Sequence, residues 1–482
     1  MIPIKRTNLR IKADPRKVVL RFLKFASPDR FESVVHYVLG LEDAVVEAQL
    51  QEVYAEFQSR HFDLKAAFLE NYEKLAFFIT EEPPMAKKLL IGAYFTHEYA
   101  TEAAALFNPS IVPHPDQQGL KEGELRFILT LRSTGEGHIS SITFQTGLIS
   151  ADGQISMDPT DHRLHTGQKV EDISLDKSFV LRRMESEGGI NSLVSDKLPE
   201  RFTEREALAL IDHLEQAHKL ELSSDKEHIS HIFDHNYDLK FKSDTPISSR
   251  VIFPNSRSES NGMEDARFVF FSDGEEKVYL GTYTAYNGRA IRPQLIETKD
   301  FQYFRIRPLY GKAATDKGMA LFPEKINGKY AKIGRQGGRN LTVMYSDDLH
   351  FWEEHKLLQQ PARSWEILQM GNGGSPLKTP YGWLLLTHAV GPMRKYVLSF
   401  TLLDLHQPEI VLGSLSQPLL SPNEEERNGY VPNVLYTCGL LQHRENLIIP
   451  YAMSDSAVSF AVVETEALIR ELDLTRFKSK EV

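Results

Sequence analysis

Short apolar runs at regular spacing dominate the sequence from Ser248 onwards. They are RFVFFS, VYLGTYTAY, PQLIET, MALFPEKI, YAKIG, LTVMYS, GWLLLTHAV, YVLSFTLLDL, LIIPYAM and FAVVETE. Each run is rich in β-branched and aromatic residues and is bounded by Gly, Pro, Asp or Asn, which indicates strands separated by turns. Many short strands at even spacing are typical of a β-sandwich or a β-propeller. We therefore predict a mainly β chain.

The part of the chain before these runs has a different texture. From about Pro28 to Thr80 the apolar residues recur at helical spacing, as in FESVVHYVLGLEDAVVEAQL, which predicts several amphipathic helices. At Lys88 the pattern changes to short β-rich runs, namely LLIGAYFT, RFILTLRST, ISSITFQTGLI and SFVLRRM. Strands are expected from there onwards.

One helical interruption is expected at about residues 203–222. Thr203 and Glu206 have the spacing of a capping box at the start of a helix. We therefore predict an N-terminal helical segment over residues 1–87 and a β domain over residues 88–482 that contains this short insertion.

Composition excludes several classes of function. A net charge of -10 and a pI near 6.0 argue against a nucleic-acid partner, because a binding surface would oppose the field of the protein itself. The single cysteine, Cys438, cannot form an intramolecular disulfide and is expected to be a buried thiol. No apolar run approaches the roughly 20 residues that span a membrane. We expect a cytoplasmic protein with no membrane or nucleic-acid partner.

The segment NGMEDARF places two adjacent carboxylates at the mouth of an apolar strand. Neighbouring side chains on an extended strand point to opposite faces, so we expect Asp265 to face a pocket while Glu264 holds the loop through Arg267. From residue types alone, a turn stabilised by an Asp–Arg pair is the more common arrangement. The residues themselves leave both interpretations open.

Several cations follow within DKGMALFPEKINGKYAKIGRQGGR. Lys317 and Arg335 are the best candidates for an anion site, because an ammonium point charge beside a guanidinium fork suits a phosphate group. The alternative is a solvated face, which is the ordinary state of Lys325 and Lys332 in a charge-rich stretch.

Two further strand ends carry polar candidates. His388 lies at the end of GWLLLTHAV and is followed by Tyr396, although a lone histidine is more often structural. Asp455 closes an aromatic strand in PYAMSDS, where it either binds sugar hydroxyls or makes a turn. Glu136 and His138 have no further ligands at metal spacing, so we assign no metal.

Taken in order, NGMEDARF, MALFPEKINGKYAKIGR, YSDDLHFW, GGSPLKTPYGWLLLTHAV, YVLSFTLLDL and RNGYVPNVLYTCG resemble glycoside hydrolase family 130 over roughly residues 245–470. The resemblance implies a five-bladed β-propeller with Asp265 as proton donor for the inverting cleavage of β-mannosides. It also implies that inorganic phosphate replaces water as nucleophile and that α-mannose 1-phosphate is formed. The phosphate-binding positions fall on Lys317, Arg335, His388 and Tyr396. No metal or organic cofactor is implied, only phosphate as co-substrate.

The N-terminal part is similar to the long-chain members of that family, which have an added helical segment. The similarity runs through RHFDLKAAFLENYEKL, LLIGAYFTHEYATEAAALFNPSIVPHPDQ and GELRFILTLRSTGEGHISSITFQTGLI. Within it, FNPSIVPHPDQ and STGEGHISS are polar turn segments at strand ends, which are either structural turns or a wall of the sugar site, and Asn108 and His138 are the candidates for substrate contact. Further substrate contacts are expected from Arg250, Asn261, Glu264, Arg339 and Asp455. The chain departs from the family at Gly318, which follows Lys317 where Asn or Asp is more usual.

Two other functions remain open at this level. A hydrolase on the same scaffold would activate water with a glutamate, for which Glu264, Glu324 and Glu366 are available. A non-catalytic saccharide-binding propeller would use the same acids and aromatics only to hold its ligand. The sequence does not indicate the β-mannosidic linkage. The amphipathic helical segment favours a homodimer.

Overall fold

The computed structural model describes residues 2–79, 81–185, 189–274 and 276–473. The mainly β prediction is confirmed, because most of the described elements are strands. None of the helices in these ranges is long and apolar enough to cross a membrane.

The largest sheet has twelve strands in two halves, which are antiparallel except where β9 pairs with β14 in parallel. The first half contains β5 (Ala105–Pro113), β6 (Leu125–Thr134), β7 (Ser140–Ile149), β8 (Ile155–Met157), β9 (His165–Thr166) and β14 (Arg250–Ile252). The second half contains β10 (Gln168–Lys169), β13 (Tyr237–Lys240), β15 (Gly262–Asp273), β16 (Glu276–Tyr286), β17 (Ile291–Thr298) and β18 (Tyr303–Pro308). The halves meet where Gly262 pairs in parallel with Ser140. The backbone pairing between the two halves is thus limited to this one residue pair.

Three further sheets follow along the chain. One contains β19 (Ala320–Leu321), β20 (Tyr330–Gly334), β21 (Leu341–Ser346) and β22 (Lys356–Gln359). The next contains β23 (Gln369–Asn372), β24 (Leu377–Thr379), β25 (Gly382–Val390), β26 (Tyr396–Leu403), β27 (Val411–Leu415) and β32 (Leu472–Asp473). The last contains β1 (Ile4–Arg6), β2 (Ile11–Lys12), β28 (Leu435–Tyr436), β29 (Leu441–His443), β30 (Asn446–Met453) and β31 (Ala457–Glu464). Two-stranded ribbons join β3 (Val18–Phe22) to β4 (Thr96–Ala100) and β11 (Ser174–Asp176) to β12 (Arg201–Thr203).

Hydrophobic clusters lie between successive sheets. The halves of the large sheet share one cluster, its second half shares another with β19–β22, and β19–β22 share a third with β23–β27. A fourth cluster joins β25–β27 to β30 and β31. The ring of contacts is completed by Phe127 and Leu129 of the first half, which pack with Ile448 and Phe460 of the last sheet. Each sheet thus packs on the next, and the last packs on the first.

The helices of the N-terminal region are α1 (Pro28–Leu39), α2 (Asp43–Phe57), α3 (Leu64–Glu73) and α4 (Met85–Tyr94). The expected strand LLIGAYFT is wrong, because most of it forms α4. A Cβ built on Gly92 would lie 1.9 Å from the carbonyl oxygen of Phe68, so α4 approaches α3 more closely than a side chain would allow. Tertiary packing has overridden local strand propensity here. The expected boundary after residue 87 lies inside α4, and residues before it also supply β1 and β2.

The remaining helices are α5 (Lys177–Glu185), α6 (Ser192–Lys197), α7 (Glu204–His218), α8 (Ser223–His235) and α9 (Thr465–Arg470). The capping box is confirmed, since Thr203 and Glu206 exchange both of its hydrogen bonds at the start of α7. The strand expected at SFVLRRM is wrong, because α5 covers it. Val180 and Met184 of α5 are buried with α7 and α8 in a core of their own, so the helical insertion is larger than the predicted 203–222.

Candidate active site

Asp265 lies at a β-bulge near the start of β15. The register of β15 against β16 shifts between Glu264 and Arg267, and Asp265 has a φ of 58°. A bulge interrupts the alternation of side chains along a strand. Glu264 and Asp265 consequently both reach Arg132 of β6, with N–O distances of 2.9 and 3.0 Å. The prediction that the two carboxylates use opposite faces, with Glu264 on Arg267, is therefore wrong.

The carboxylate of Asp265 is surrounded by donors. Asn108 Nδ2 donates to Asp265 Oδ1 over 2.6 Å, and Arg132 Nη1 donates to the same oxygen. Burial on its own would raise the pKa of Asp265, but the charges of Arg132 and Arg267 together with these hydrogen bonds lower that pKa to about 2. Asp265 is therefore ionised at neutral pH before substrates bind.

Arg267 ties this strand to two other sheets. It is 2% exposed, and its Nη1 donates to the backbone oxygen of Asp265 over 2.8 Å. Its Nε donates to the oxygen of Gly373 over 2.9 Å, and its Nη2 donates to Tyr436 Oη over 2.8 Å. Arg267 therefore fixes the bulge through the backbone rather than through a carboxylate.

Cationic and aromatic side chains line the opposite side of the cluster. Lys317 Nζ lies 2.5 Å from Glu264 Oε2. His388 is buried, and its ring stacks on Tyr396 at 6.0 Å between centroids. Burial, followed by the charges of Arg335 and Arg267, holds the pKa of His388 well below its usual range. The imidazole is therefore neutral. The two positive charges that lower its pKa are those of Arg335 and Arg267.

Asp455 lies close enough to Asp265 and Arg132 for their charges to act on it. It follows β30 in a left-handed conformation with a φ of 52°, and its Oδ1 is buried without a hydrogen-bond partner among the described residues. Burial, and then the charge of Asp265, raise the pKa of Asp455 to about 7, against the opposing charges of Arg132 and Arg394. The cluster thus contains an ionised carboxylate and a carboxyl that is partly protonated near neutral pH.

The other predicted contacts are spread more widely. His138 is exposed, and its Nδ1 lies 2.9 Å from Tyr430 Oη. His138 is two residues from Ser140, whose hydroxyl accepts from Arg132 Nε, so it lies at the edge of the cluster. Asn261 and Arg339 are exposed. Their roles in substrate binding stay predictions.

Arg250 makes its hydrogen bonds away from the candidate site. It is 5% exposed, and its guanidinium donates to the backbone oxygens of Thr245 and Phe301. These contacts hold a turn inside the first hydrophobic cluster rather than reaching Asp265. The structure therefore does not bring Arg250 to the site.

The charge-rich stretch after Asp316 is not uniformly solvated. Lys332 is fully buried, with its Nζ 4.0 Å from the centroid of the Trp352 ring and 3.2 Å from Met319 Sδ. The solvated-face interpretation is therefore wrong for Lys332. Lys325 is partly buried and pairs with Asp273 at 3.2 Å.

Two residues of the cluster are not marked by any motif in the sequence. Arg132 lies in the apolar run of β6 and Tyr436 in the two-residue strand β28. Nothing in the local sequence separates them from ordinary strand residues. In the described ranges no three His, Cys, Asp or Glu side chains form a group that could hold a metal ion. Cys438 is buried as expected, and burial raises the pKa of its thiol to about 12.

The part of the chain that contains most of this cluster is similar to known proteins. Residues 226–474 match the model of glycoside hydrolase family 130, described as beta-1,4-mannooligosaccharide phosphorylase. A 1,2-beta-oligomannan phosphorylase of Thermoanaerobacter sp. (strain X514) is 32% identical over 232 residues, which is 46% of this chain and 73% of that protein. A beta-1,2-mannobiose phosphorylase of Listeria innocua is 29% identical over 230 residues, with 46% and 63% covered.

This chain also has some similarity to solved structures. The beta-1,2-mannobiose phosphorylase from Listeria innocua, in complex with beta-1,2-mannobiose, superposes with a TM-score of 0.45 at 21% identity. The superposition covers 77% of this chain and 92% of that one. Because the family model covers about half of the chain and includes Asp265, Lys317, Arg335 and His388, the chain belongs to glycoside hydrolase family 130.

Proposed function

We propose that this chain is an inverting phosphorylase that cleaves β-mannosides with inorganic phosphate and releases α-mannose 1-phosphate. The observation that carries the proposal is that Lys317 pairs with Glu264, the neighbour of the buried Asp265, while Arg335 lies close enough to His388 to lower its pKa. An anionic nucleophile must be held by cations, whereas activation of water requires a free carboxylate base. The names of the similar proteins, all phosphorylases of mannosides, point the same way.

In this proposal Asp265 supplies the proton that the leaving oxygen needs, relayed through a hydroxyl of the substrate. Phosphate attacks the anomeric carbon from the side opposite the leaving group, so the configuration inverts. A pKa of about 2 keeps Asp265 ionised at first. Binding of the phosphate anion partly neutralises the surrounding cations and raises the pKa of Asp265, so that Asp265 takes up from solvent the proton that it then passes, through the substrate hydroxyl, to the leaving oxygen.

Asn108, Glu264 and Asp455 are proposed to contact the mannosyl unit. A carboxyl with a pKa of about 7 exists in both protonation states at neutral pH, so Asp455 can either donate to or accept from a sugar hydroxyl. His138 and Tyr396 stand at the edges of the same space and are proposed to bound the sugar and the phosphate respectively. The remaining proposed contacts are Asn261 and Arg339.

The hydrolase alternative requires a free glutamate. Glu264 is held by Arg132 and Lys317. Glu324 pairs with Lys378, and the buried Glu366 pairs with Arg363 and accepts from the backbone of the same turn. All three glutamates that the sequence offered as bases are thus engaged in ion pairs. This argues against a hydrolase that uses one of these three glutamates as its base.

The direct test is incubation of the pure protein with β-1,2-, β-1,3- and β-1,4-linked mannobiose, with and without inorganic phosphate. We expect mannose 1-phosphate only when phosphate is present, and the reactive isomer identifies the linkage. Free mannose without phosphate would indicate the hydrolase. Saccharide binding with neither product would indicate a non-catalytic binding protein.

We also propose that the sheets are the blades of a five-bladed propeller with the site at its axis, and that helices α1 to α4 are an added N-terminal segment. Support comes from the two halves of the large sheet, which meet at one residue pair, and from the ring of hydrophobic clusters. Phosphate is the co-substrate, and the mechanism needs no metal or organic cofactor. Homodimer formation through the exposed apolar residues of the helices, such as Tyr37 and Phe77, completes the proposal.

A further inference from the structure

The side chain of Asn372 is buried without satisfying its hydrogen-bonding groups. Asn372 ends β23 and has no exposed surface. Neither its Nδ2 nor its Oδ1 has a hydrogen-bond partner among the described residues. Buried amide groups are normally paired, and leaving one unpaired costs stability. Such a side chain calls for a functional explanation.

The amide faces the candidate cations. A Cβ built on Gly318 would lie 3.8 Å from Asn372 Oδ1 and 4.0 Å from Arg335 Nε. Arg335 Nε is a second buried donor that lacks a partner in the described part of the chain. Gly318 directly follows Lys317. Lys317, Gly318, Arg335 and Asn372 therefore border one space, and glycine leaves that space open.

The backbone around Asn372 is held on both sides. His388 Nδ1 lies 3.2 Å from the backbone oxygen of Asn372, within the ladder that pairs β23 with β25. The next residue, Gly373, accepts a hydrogen bond from Arg267 Nε. The amide is thus fixed between the proposed phosphate ligands and the arginine that supports Asp265.

We propose that Asn372 is a direct ligand of inorganic phosphate in the space bordered by Lys317, Gly318 and Arg335. Its Oδ1 borders Gly318 in this structure, and a half-turn of the amide brings Nδ2 into that position, where it donates to a phosphate oxygen. The proposal rests on the phosphorolysis proposed above. An amide donates a directed hydrogen bond without adding charge, so it orients the anion that the two cations attract.

The test is a kinetic comparison of Asn372→Ala and Asn372→Asp with the parent, varying phosphate and mannoside separately. A lost hydrogen bond to a charged ligand should raise the KM for phosphate roughly 10- to 100-fold in the alanine variant. The aspartate variant should be impaired more, because its carboxylate repels the anion at nearly the same size. The KM for mannoside should stay within about twofold.

Asn236→Ala is the matched control. Asn236 is equally buried and its Oδ1 also lacks a partner among the described residues, but its Nδ2 donates to the oxygen of Ile232 at the end of α8. This substitution should leave both KM values unchanged. A general effect of removing a buried asparagine would instead move both variants alike.

A rescue variant tests the position of the amide. In Asn372→Ala/Gly318→Asn the side chain at residue 318 would point into the same space from the neighbouring sheet. The φ of 81° at Gly318 is in the left-handed region, which asparagine tolerates better than most residues. The double variant should recover most of the phosphate affinity that Asn372→Ala loses.

A readout independent of turnover is the increase in Tm that inorganic phosphate produces. The increase should be smaller in Asn372→Ala than in the parent at equal phosphate concentration, while the Tm without phosphate should not fall. A parent that phosphorolyses mannoside beside an alanine variant with unchanged KM and unchanged phosphate-induced Tm shift would overturn the role of Asn372 alone. A parent that shows neither phosphorolysis nor a phosphate-induced shift would overturn the proposed function and this role together.

Discussion

Two neighbouring carboxyl groups of the candidate site have pKa values that are shifted in opposite directions. Asp265 is flanked by arginines and accepts two hydrogen bonds, whereas Asp455 has burial and a neighbouring negative charge but no partner among the described residues for its Oδ1. Burial raises the pKa of both groups, but at Asp265 the arginine charges and the hydrogen bonds outweigh it and lower the pKa. Divergent pKa values of this kind are characteristic of catalytic sites rather than of structural ion pairs.

Asp265→Asn should lower turnover with phosphate by about a thousandfold, because general acid catalysis contributes on the order of 10²–10⁴ and the amide cannot pass a proton. Initial rates of mannose 1-phosphate release, at saturating mannoside and phosphate, measure this effect. Glu354→Gln, at an exposed position, serves as control and should retain the parental rate. Near-parental turnover in Asp265→Asn would contradict the assignment of the general acid.

Asp455 makes stability dependent on pH. Its pKa is raised in the folded protein, so the folded state favours the protonated form, and the resulting stabilisation is complete below pH 4 and is lost as the pH rises through about 7. Asp455→Asn should remove this loss and make the protein more stable than the parent at pH 8, by about 2 kcal/mol or more. Urea unfolding at pH 5 and pH 8 measures the difference. Asp196→Asn, at an exposed position of α6, should leave the pH dependence of the parent unchanged.

At the scale of elements, β20 carries a charge into the core. The strand alternates Ala331, Lys332 and Ile333, all buried, between two sheets. Burial holds the pKa of Lys332 well below its usual range, so the folded protein is penalised until the pH approaches the pKa of the unfolded side chain. The contacts of the amine are with a thioether sulfur and the Trp352 ring, which compensate only weakly.

Lys332→Met keeps the length of the side chain and removes the buried amine. We expect the free energy of unfolding at pH 7 to rise by about 1 kcal/mol or more. The advantage should shrink as the pH rises towards about 10, since the parent then loses its proton in both states. Differential scanning calorimetry at pH 7 and pH 9.5 tests both statements. A lower Tm for the variant at pH 7 would show that the amine has a stabilising partner.

At the scale of the whole molecule, the N-terminal strands complete the last sheet. Ile4–Arg6 pairs with β31 from Ala461 to Val463, and Ile11 pairs with Val458. Segments more than 400 residues apart in sequence are thereby joined in one sheet. Such a contact is slow to form, and because it joins the first part of the chain to the last sheet it supports the ring of packed sheets as a whole.

Deletion of residues 2–12 should therefore reduce cooperativity and lower the Tm by several degrees, although it removes no residue of the site. Strand β31 would lose its pairing with β1 and β2, and Ile11 would no longer cover Val458 and Phe460. Calorimetry of the truncated and parent proteins checks this, with Lys5→Ala, at an exposed position of β1, as a control that should be neutral. An unchanged transition would mean that β30 and β31 are stable without these strands.

The sequence by itself determined the strand-rich character, most strand positions after Ser248, the capping box at Thr203 and the membership of the family. These features depend on local periodicity and on short motifs, which are readable along the chain. Asp265 and its cationic partners were accessible through the same motifs.

Tertiary structure alone decided which face each side chain uses. The bulge at Asp265 turned both carboxylates towards Arg132, a residue from a strand more than 100 positions earlier that no local pattern marked. Close packing against α3 made a helix of residues that read as a strand. Burial likewise decided that Lys332 is not solvated and that the pKa of Asp455 is raised to about 7, because desolvation depends on neighbours brought together by the fold and not on neighbours in sequence.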